Sequence, residues 1–189
     1  MKLPVYLYGC PVLRATAADI TPQREGLEKL IADMYETMYH SEGVGLAAPQ
    51  VGLSELLVVI DADVLGEDFP ECKGRKMVLI NPEIEILDGD PVSRNEGCLS
   101  LPGISEAVKR VEHIRLSWLD ENFQPHSEEM QGFLSRIVQH EVDHLYGKMY
   151  IDHISPLRKQ FIRGKLNNIV DGKIRCEYPC RVARKPKGR

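Results

Sequence analysis

The sequence predicts an α+β fold, and three observations carry that reading. Apolar residues recur at helical spacing in one stretch near the start, over about 22–40, and in two more after Gly132. Between them lie short runs rich in Val, Ile and Leu, separated by turn signals, which read as mainly antiparallel strands. A helix, then several strands, then helices is the order of an α+β domain. The third observation is chemical. The first helix after the strands carries His140-Glu141-Val142-Asp143-His144, which makes it a metal-bearing helix.

Thr21-Pro22 pairs an N-cap hydroxyl with a proline at the first helical position, so the first helix is expected to begin at about Pro22. Leu27, Leu30, Ile31, Met34, Tyr35 and Met38 continue it to His40. Strand-like runs follow at 56–60, 77–80, 84–87, 107–111 and 114–119, punctuated by Asn81-Pro82, Asp88-Gly89-Asp90 and Pro102-Gly103. From Gly132 to Gly147, one stripe holds Phe133, Ile137, His140 and His144, and the adjacent one holds Leu134, Val138, Glu141 and Leu145. The histidines therefore continue an apolar face, while Arg136, Gln139 and Asp143 are expected to face water. Ser155-Pro156 opens a last helix carrying Leu157, Phe161, Leu166 and Ile169. There is no internal repeat and no low-complexity segment.

A chain of 189 residues is the size of one domain and can bury about 70% of its unfolded surface without staples. Its five cysteines, Cys10, Cys72, Cys98, Cys176 and Cys180, follow no framework spacing, and Met1-Lys2-Leu3-Pro4 does not start a charged-then-apolar leader. Free thiols in a reducing cytoplasm are expected. The longest apolar runs fall far short of the roughly 20 residues that a membrane span needs. The net charge of −4 hides an asymmetry: residues 156–189 hold 11 Lys and Arg against 2 Asp and Glu, and residues 1–155 hold 13 against 26. We therefore expect a metal-dependent catalytic domain over 1–155 and a basic C-terminal helix and tail over 156–189, the latter suited to an anionic partner such as nucleic acid.

Positions i and i+4 share one face of a helix, so His140 and His144 can hold one ion together, with Glu141 beside them as a base. A buried carboxylate without a partner costs several kcal/mol or else takes up a proton, and a divalent ion would satisfy all three side chains. Catalytic ions usually take three protein ligands, which leaves one to find. His153 lies downstream. Cys98 lies upstream in Glu96-Gly97-Cys98-Leu99-Ser100-Leu101-Pro102-Gly103, and a thiolate bounded by a glycine and a turn is the better chemical partner. A second peculiar stretch, 43–52, reads GVGLAAPQVG: its glycines let backbone approach a ligand closely, and the Gln50 amide can donate to an oxygen that gains charge.

In this order and at these separations, GVGLAAPQVG, EGCLSLPG and QHEVDHLYG resemble the signature of the peptide deformylases, over about Gly9 to Ile154. The resemblance implies Cys98, His140 and His144 as ligands of one divalent ion, Glu141 as the acid/base, and Gln50 with the Leu99 backbone N–H as oxyanion donors. It implies that Gly45 gives the substrate a backbone contact. The substrate pocket should be apolar, to take a methionine side chain, and Val44, Ile137, Val138 and His140 are expected to line it. Antiparallel sheets packed around the metal-bearing helix are the fold implied, and a pairing of Glu96 with Arg110 is expected to be structural.

The implied reaction removes the N-formyl group from the formylmethionine of nascent polypeptides and releases formate. Fe2+ is the ion implied in the cell, and the same donors suit Zn2+, Ni2+ or Co2+ in purified protein. The partners expected are the formyl-Met nascent peptide and, through Arg158, Lys159, Arg163 and Lys165, ribosomal RNA; neither DNA nor a membrane is expected. One departure stands out. Some family members carry an arginine seven residues beyond the metal cysteine, where this chain has Ser105, so substrate contacts beyond the first residue do not carry over. A metalloendopeptidase would require a longer peptide groove, and a catalytically silent RNA-binding module would not require Glu141.

Overall fold

The structure is a computed structural model and describes residues 1–183. Arg184, Lys185, Lys187 and Arg189 of the basic tail lie outside the described residues. The elements in chain order are β1 (Val5–Tyr6), α1 (Leu27–His40), β2 (Gly45–Ala47), β3 (Leu57–Asp61), β4 (Lys76–Ile86), β5 (Pro91–Gly97), β6 (Ser105–Val111), β7 (His113–Leu119), β8 (Pro125–Gln131), α2 (Gly132–Leu145), α3 (Pro156–Val170) and β9 (Cys180–Arg181). Five strands form an antiparallel sheet in the order β2-β3-β4-β7-β8, β5 and β6 form a separate hairpin, and β1 pairs with β9 in parallel. The α+β class is as the sequence predicts.

The sheet is buried on both faces at β2 and β3. Along β3, Val58 and Ile60 join Leu134, Val138 and Val142 of α2, whereas Leu57 and Val59 join Leu30, Met34 and Met38 of α1. This explains why β3 is a continuous apolar run, since alternation is needed only where one face meets water. A third apolar cluster joins Val5, Leu7, Leu101, Ile104 and Tyr150 to Ile162, Leu166 and Ile169 of α3. Helix α2 thus lies between the main sheet, the β5–β6 hairpin and this third cluster, the arrangement in which antiparallel sheets surround the metal-bearing helix. Among the described residues, no helix is long and apolar enough to cross a membrane.

Several boundaries differ from the sequence expectation for identifiable reasons. Helix α1 starts at Leu27, because Gly26 before it is left-handed at φ 69° and Thr21-Pro22 opens a turn closed by Arg24 N–H to the Thr21 carbonyl at 3.0 Å. The expected break at Asn81-Pro82 is a bulge inside the single strand β4. Asn81 takes φ 48° there and uses its amide as a tie, accepting from Ile20 N–H at 2.8 Å and donating to the Ile20 carbonyl at 2.9 Å. In α3, Ser155 Oγ accepts from Arg158 N–H at 3.3 Å with Pro156 in the first turn, as the sequence predicts. Its buried face, however, is Ile162, Leu166 and Ile169, while Leu157 and Phe161 are exposed.

A candidate metal centre on the buried helix

The chain enters α2 through Gly132, at φ 67°, and the Glu71 carboxylate accepts the Phe133 N–H at 2.7 Å, placing a negative charge at the helix N-terminus. Eleven of the 14 residues of α2 are buried, so the wet side expected at Arg136, Gln139 and Asp143 does not exist. Arg136 is 1% exposed. The β5–β6 hairpin covers this side and supplies the partners that make burial of charge tolerable. Arg136 donates to Glu96 Oε1 at 2.7 Å, Glu112 Oε1 at 2.8 Å and the carbonyls of Val92 and Val108 at 2.7 and 3.0 Å. Gln139 donates to the Val111 carbonyl at 2.9 Å, and Asp143 accepts from Arg110 at 2.9 Å.

On the adjoining face of the helix the three expected ligands converge. One donor atom each from Cys98, His140 and His144 lies within 4.8 Å of the others, and the Cys98 Sγ is 3.3 Å from His144 Nε2. Cys98 sits immediately after β5, in a turn closed by Leu101 N–H to its carbonyl at 2.9 Å. His153, the alternative third ligand, is elsewhere: its Nε2 is 2.8 Å from Asp143 Oδ2. His140 Nδ1 is 2.9 Å from Glu96 Oε2, and since a carboxylate only accepts, Nδ1 carries the proton and Nε2 is left for the centre. Glu96 is itself gripped by Arg110 at 2.7 and 3.1 Å, the pairing expected from the sequence.

The electrostatics follow from this packing. Burial pushes the Cys98 thiol up, but the charge of His144 and hydrogen bonds from His140 and His144 outweigh it and bring the thiol down to about 5, the thiolate range a ligand needs. Burial alone would raise Glu96 as well. Its hydrogen bonds from His140 and Arg110 prevail and hold it far below the usual carboxylate range. Glu141 goes the other way, raised chiefly by burial. Its Oε2 and the His144 Nδ1 are buried with no hydrogen-bond partner. A thiolate, two imidazoles and an unpartnered carboxylate in contact with one space fit a divalent ion and its water, and three protein donors is the number that a catalytic site keeps.

Two further residues face the same space. Ala47 N–H donates to Gln50 Oε1 at 2.9 Å, which orients the amide so that Nε2 points toward Cys98 Sγ at 3.4 Å and Ser100 Oγ at 3.3 Å. A methyl group on Gly45 would stand 2.6 Å from Glu141 Oε1, so glycine is required there by the carboxylate itself. A cavity of about 630 Å³ opens over the centre, and Val44, Gly45, Leu99, Ser105 and Ile137 are on its wall. Val138, expected among them, is instead fully buried in the core against the main sheet. Sequence reasoning missed Arg136 and Tyr178, which also line the cavity. Arg136, expected to face water, lies one turn before His140, a spacing that could have marked it, whereas nothing in the sequence marks Tyr178, 38 residues beyond His140.

A thiolate and two imidazoles around one point, with a high-pKa carboxylate and an oriented amide donor facing it, define a mononuclear hydrolytic metal centre. The polypeptide deformylase family profile matches residues 2–160. A peptide deformylase of Flavobacterium psychrophilum is 43% identical over 194 residues, covering 99% of this chain and 100% of the relative. Among solved structures, a peptide deformylase from Legionella pneumophila is 35% identical with a TM-score of 0.79, covering 98% of this chain and 100% of that one. The peptide deformylase from Thermus thermophilus is 37% identical with a TM-score of 0.77, covering 88% and 96%. The chain belongs to the polypeptide deformylase family, and its activity is metal-dependent hydrolytic removal of the N-formyl group from peptides.

Proposed function

We propose that Cys98, His140 and His144 hold one divalent ion and that Glu141 moves the protons of the reaction. The observation that carries this reading is the buried, unpartnered Glu141 Oε2 beside three converging donors. When bound, the ion supplies Lewis acidity, lowering the pKa of a water from about 15.7 toward about 7. A thiolate donates more charge than a third imidazole, so the pull on water is weaker and a base is needed. Glu141 accepts the proton as the water oxygen attacks the formyl carbon. Gln50 Nε2 and the Leu99 N–H donate to the carbonyl oxygen as it becomes negative. Glu141 then returns the proton to the departing nitrogen, leaving formate and a free amino terminus.

The substrate in this reading is formylmethionine at the start of a nascent polypeptide. Val44 and Ile137 offer apolar surface to the methionine side chain. Gly45 offers backbone: β2 is the outer strand of the main sheet, paired only with β3 within it, so its other side can meet an extended peptide.

Iron(II) is the ion we propose in the cell. Protein prepared without oxygen should contain about one iron per chain, with formate release from formyl-Met-Ala tracking the iron and decaying in air as zinc takes its place. Metal analysis alongside the assay checks this, and full activity that follows zinc alone overturns it.

A substrate that exists only on nascent chains makes the cytoplasm the compartment and the ribosome the partner we propose for the basic segment 156–189. Lys159, Arg163 and Lys165 are exposed on α3, whereas Arg158 is committed to Glu106 at 2.7 and 2.9 Å. Replacing these three exposed residues by glutamate should weaken co-sedimentation with ribosomes at low salt and reduce its salt dependence by about 0.9 per phosphate contact removed. Unchanged co-sedimentation would exclude this surface.

A further inference from the structure

We infer that Tyr178, carried to the active site by the returning segment 173–183, is a positioning residue for deformylation. The chain leaves α3, turns at Gly172 with φ 68°, and comes back across the molecule to pair β9 with β1, Val5 opposite Cys180 and Tyr6 opposite Arg181. Val5 N–H and Leu7 N–H donate to the carbonyls of Pro179 and Arg181, both at 2.9 Å, and the Cys10 thiol reaches the Arg181 carbonyl at 3.6 Å. At Gly9 a methyl group would come within 2.8 Å of Val170 Cγ2 and 3.1 Å of Ala183 Cβ, so the strap is seated tightly at that end.

The seating aims one side chain at the centre. Tyr178 lines the catalytic cavity, and its hydroxyl donates to the Leu99 carbonyl at 2.6 Å. Burial pushes the phenol pKa up, so the hydroxyl keeps its proton and remains a donor. Cys98, Leu99 and Ser100 are successive residues, and each carbonyl is held by a different part of the chain: Cys98 by Leu101 N–H at 2.9 Å, Ser100 by Tyr8 N–H at 2.8 Å, and Leu99 by Tyr178. Ser100 Oγ in turn accepts from the Gln50 amide. The Leu99 N–H shares its peptide plane with the Cys98 carbonyl, which Leu101 N–H holds, and Tyr178 holds the next plane through the Leu99 carbonyl, so the two planes that meet at Leu99 Cα are each tied and neither can swing against the other. A donor must be held to about half an ångström to act on a developing charge. Tyr178 is therefore the outer support of the loop that holds a metal ligand and an oxyanion donor.

This inference rests on the reading of the Leu99 N–H as an oxyanion donor, so its test measures Gln50→Ala in parallel. The full-length enzyme carrying Tyr178→Phe loses only the hydroxyl. Its kcat for formyl-Met-Ala should fall about fivefold, the worth of one hydrogen bond, with KM, bound ion and thermal midpoint close to those of the parent. If Tyr178→Phe keeps the parent kcat while Gln50→Ala loses it, the positioning role is overturned and the oxyanion reading stands. If both keep it, the oxyanion reading fails and takes this inference with it. A rise in KM alone makes Tyr178 a substrate contact, and a fall in kcat matched by loss of ion makes it merely structural; either result overturns the role assigned here.

Discussion

Glu141→Gln is expected to retain its ion and lose turnover. Formate release from formyl-Met-Ala should fall by about 10³-fold, within the range that a positioned acid/base contributes. The three donors that converge are Cys98, His140 and His144, so the substitution removes no ligand and metal analysis should read as in the parent. Glutamine also matches glutamate in shape, which matters because Gly45 leaves no slack beside the side chain. What the amide lacks is the ability to take up and return a proton. The parent carboxylate is suited to that task because burial raises its pKa above the ordinary carboxylate value, while His140, next to it in the chain, has its Nδ1 proton engaged by Glu96 and its Nε2 left for the centre. Normal turnover in this variant, with its ion in place, would falsify the role.

The site was more legible in the sequence than the fold that supports it. HExxH and the flanking apolar stripes identified α2 and the direction of its histidines, because a helix period and a ligand pattern reinforce one another on the same 14 residues. Cys98 became a ligand only through its context, since spacing alone left His153 as a candidate. The polar strands were hidden for a physical reason. β5 reads PVSRNEG and β8 reads PHSEEMQ, with little apolar alternation, because most of their positions are exposed and each buries a single residue, the charged Glu96 in β5 and Met130 in β8. Glu96 of β5 is buried among two arginines and a histidine, a placement that no local pattern encodes. Arg136 was assigned to water for the same reason: on a helical wheel it falls beside the apolar stripe on its polar flank, next to Asp143, and only the position of the β5–β6 hairpin buries that flank. Tyr178 shows the limit most clearly, since its contact with Leu99 spans 79 residues of sequence.

Removing Glu96 should have the largest effect on stability. Its two oxygens accept four hydrogen bonds, two from Arg110 at 2.7 and 3.1 Å, one from Arg136 at 2.7 Å and one from His140 at 2.9 Å. Taking a carboxylate into this interior is costly in itself, so the comparison that matters is with the state left behind. In Glu96→Ala the two arginines lose their shared anion while the protein remains closed over them. Breaking a buried pair from one side in this way costs about 3–5 kcal/mol. Arg110 retains Asp143 and Arg136 retains Glu112, which places the expectation at the lower end of that range. The carboxylate is held below its ordinary pKa when folded, so its contribution is fully present above about 4.5 and is lost only as the pH falls through the lower folded value. The difference between parent and variant should therefore be undiminished at neutral pH. Urea unfolding of the metal-free proteins isolates this effect from ligand linkage, and the midpoint should drop by about 1.5 M for a slope near 2 kcal/mol/M. Losing the partner of His140 Nδ1 should also weaken ion binding by about 10–100-fold, measured by chelator competition. A variant whose metal-free stability matches the parent would show that the arginines around Glu96 are satisfied without it, and that the buried network is not what holds the metal-bearing helix against the hairpin.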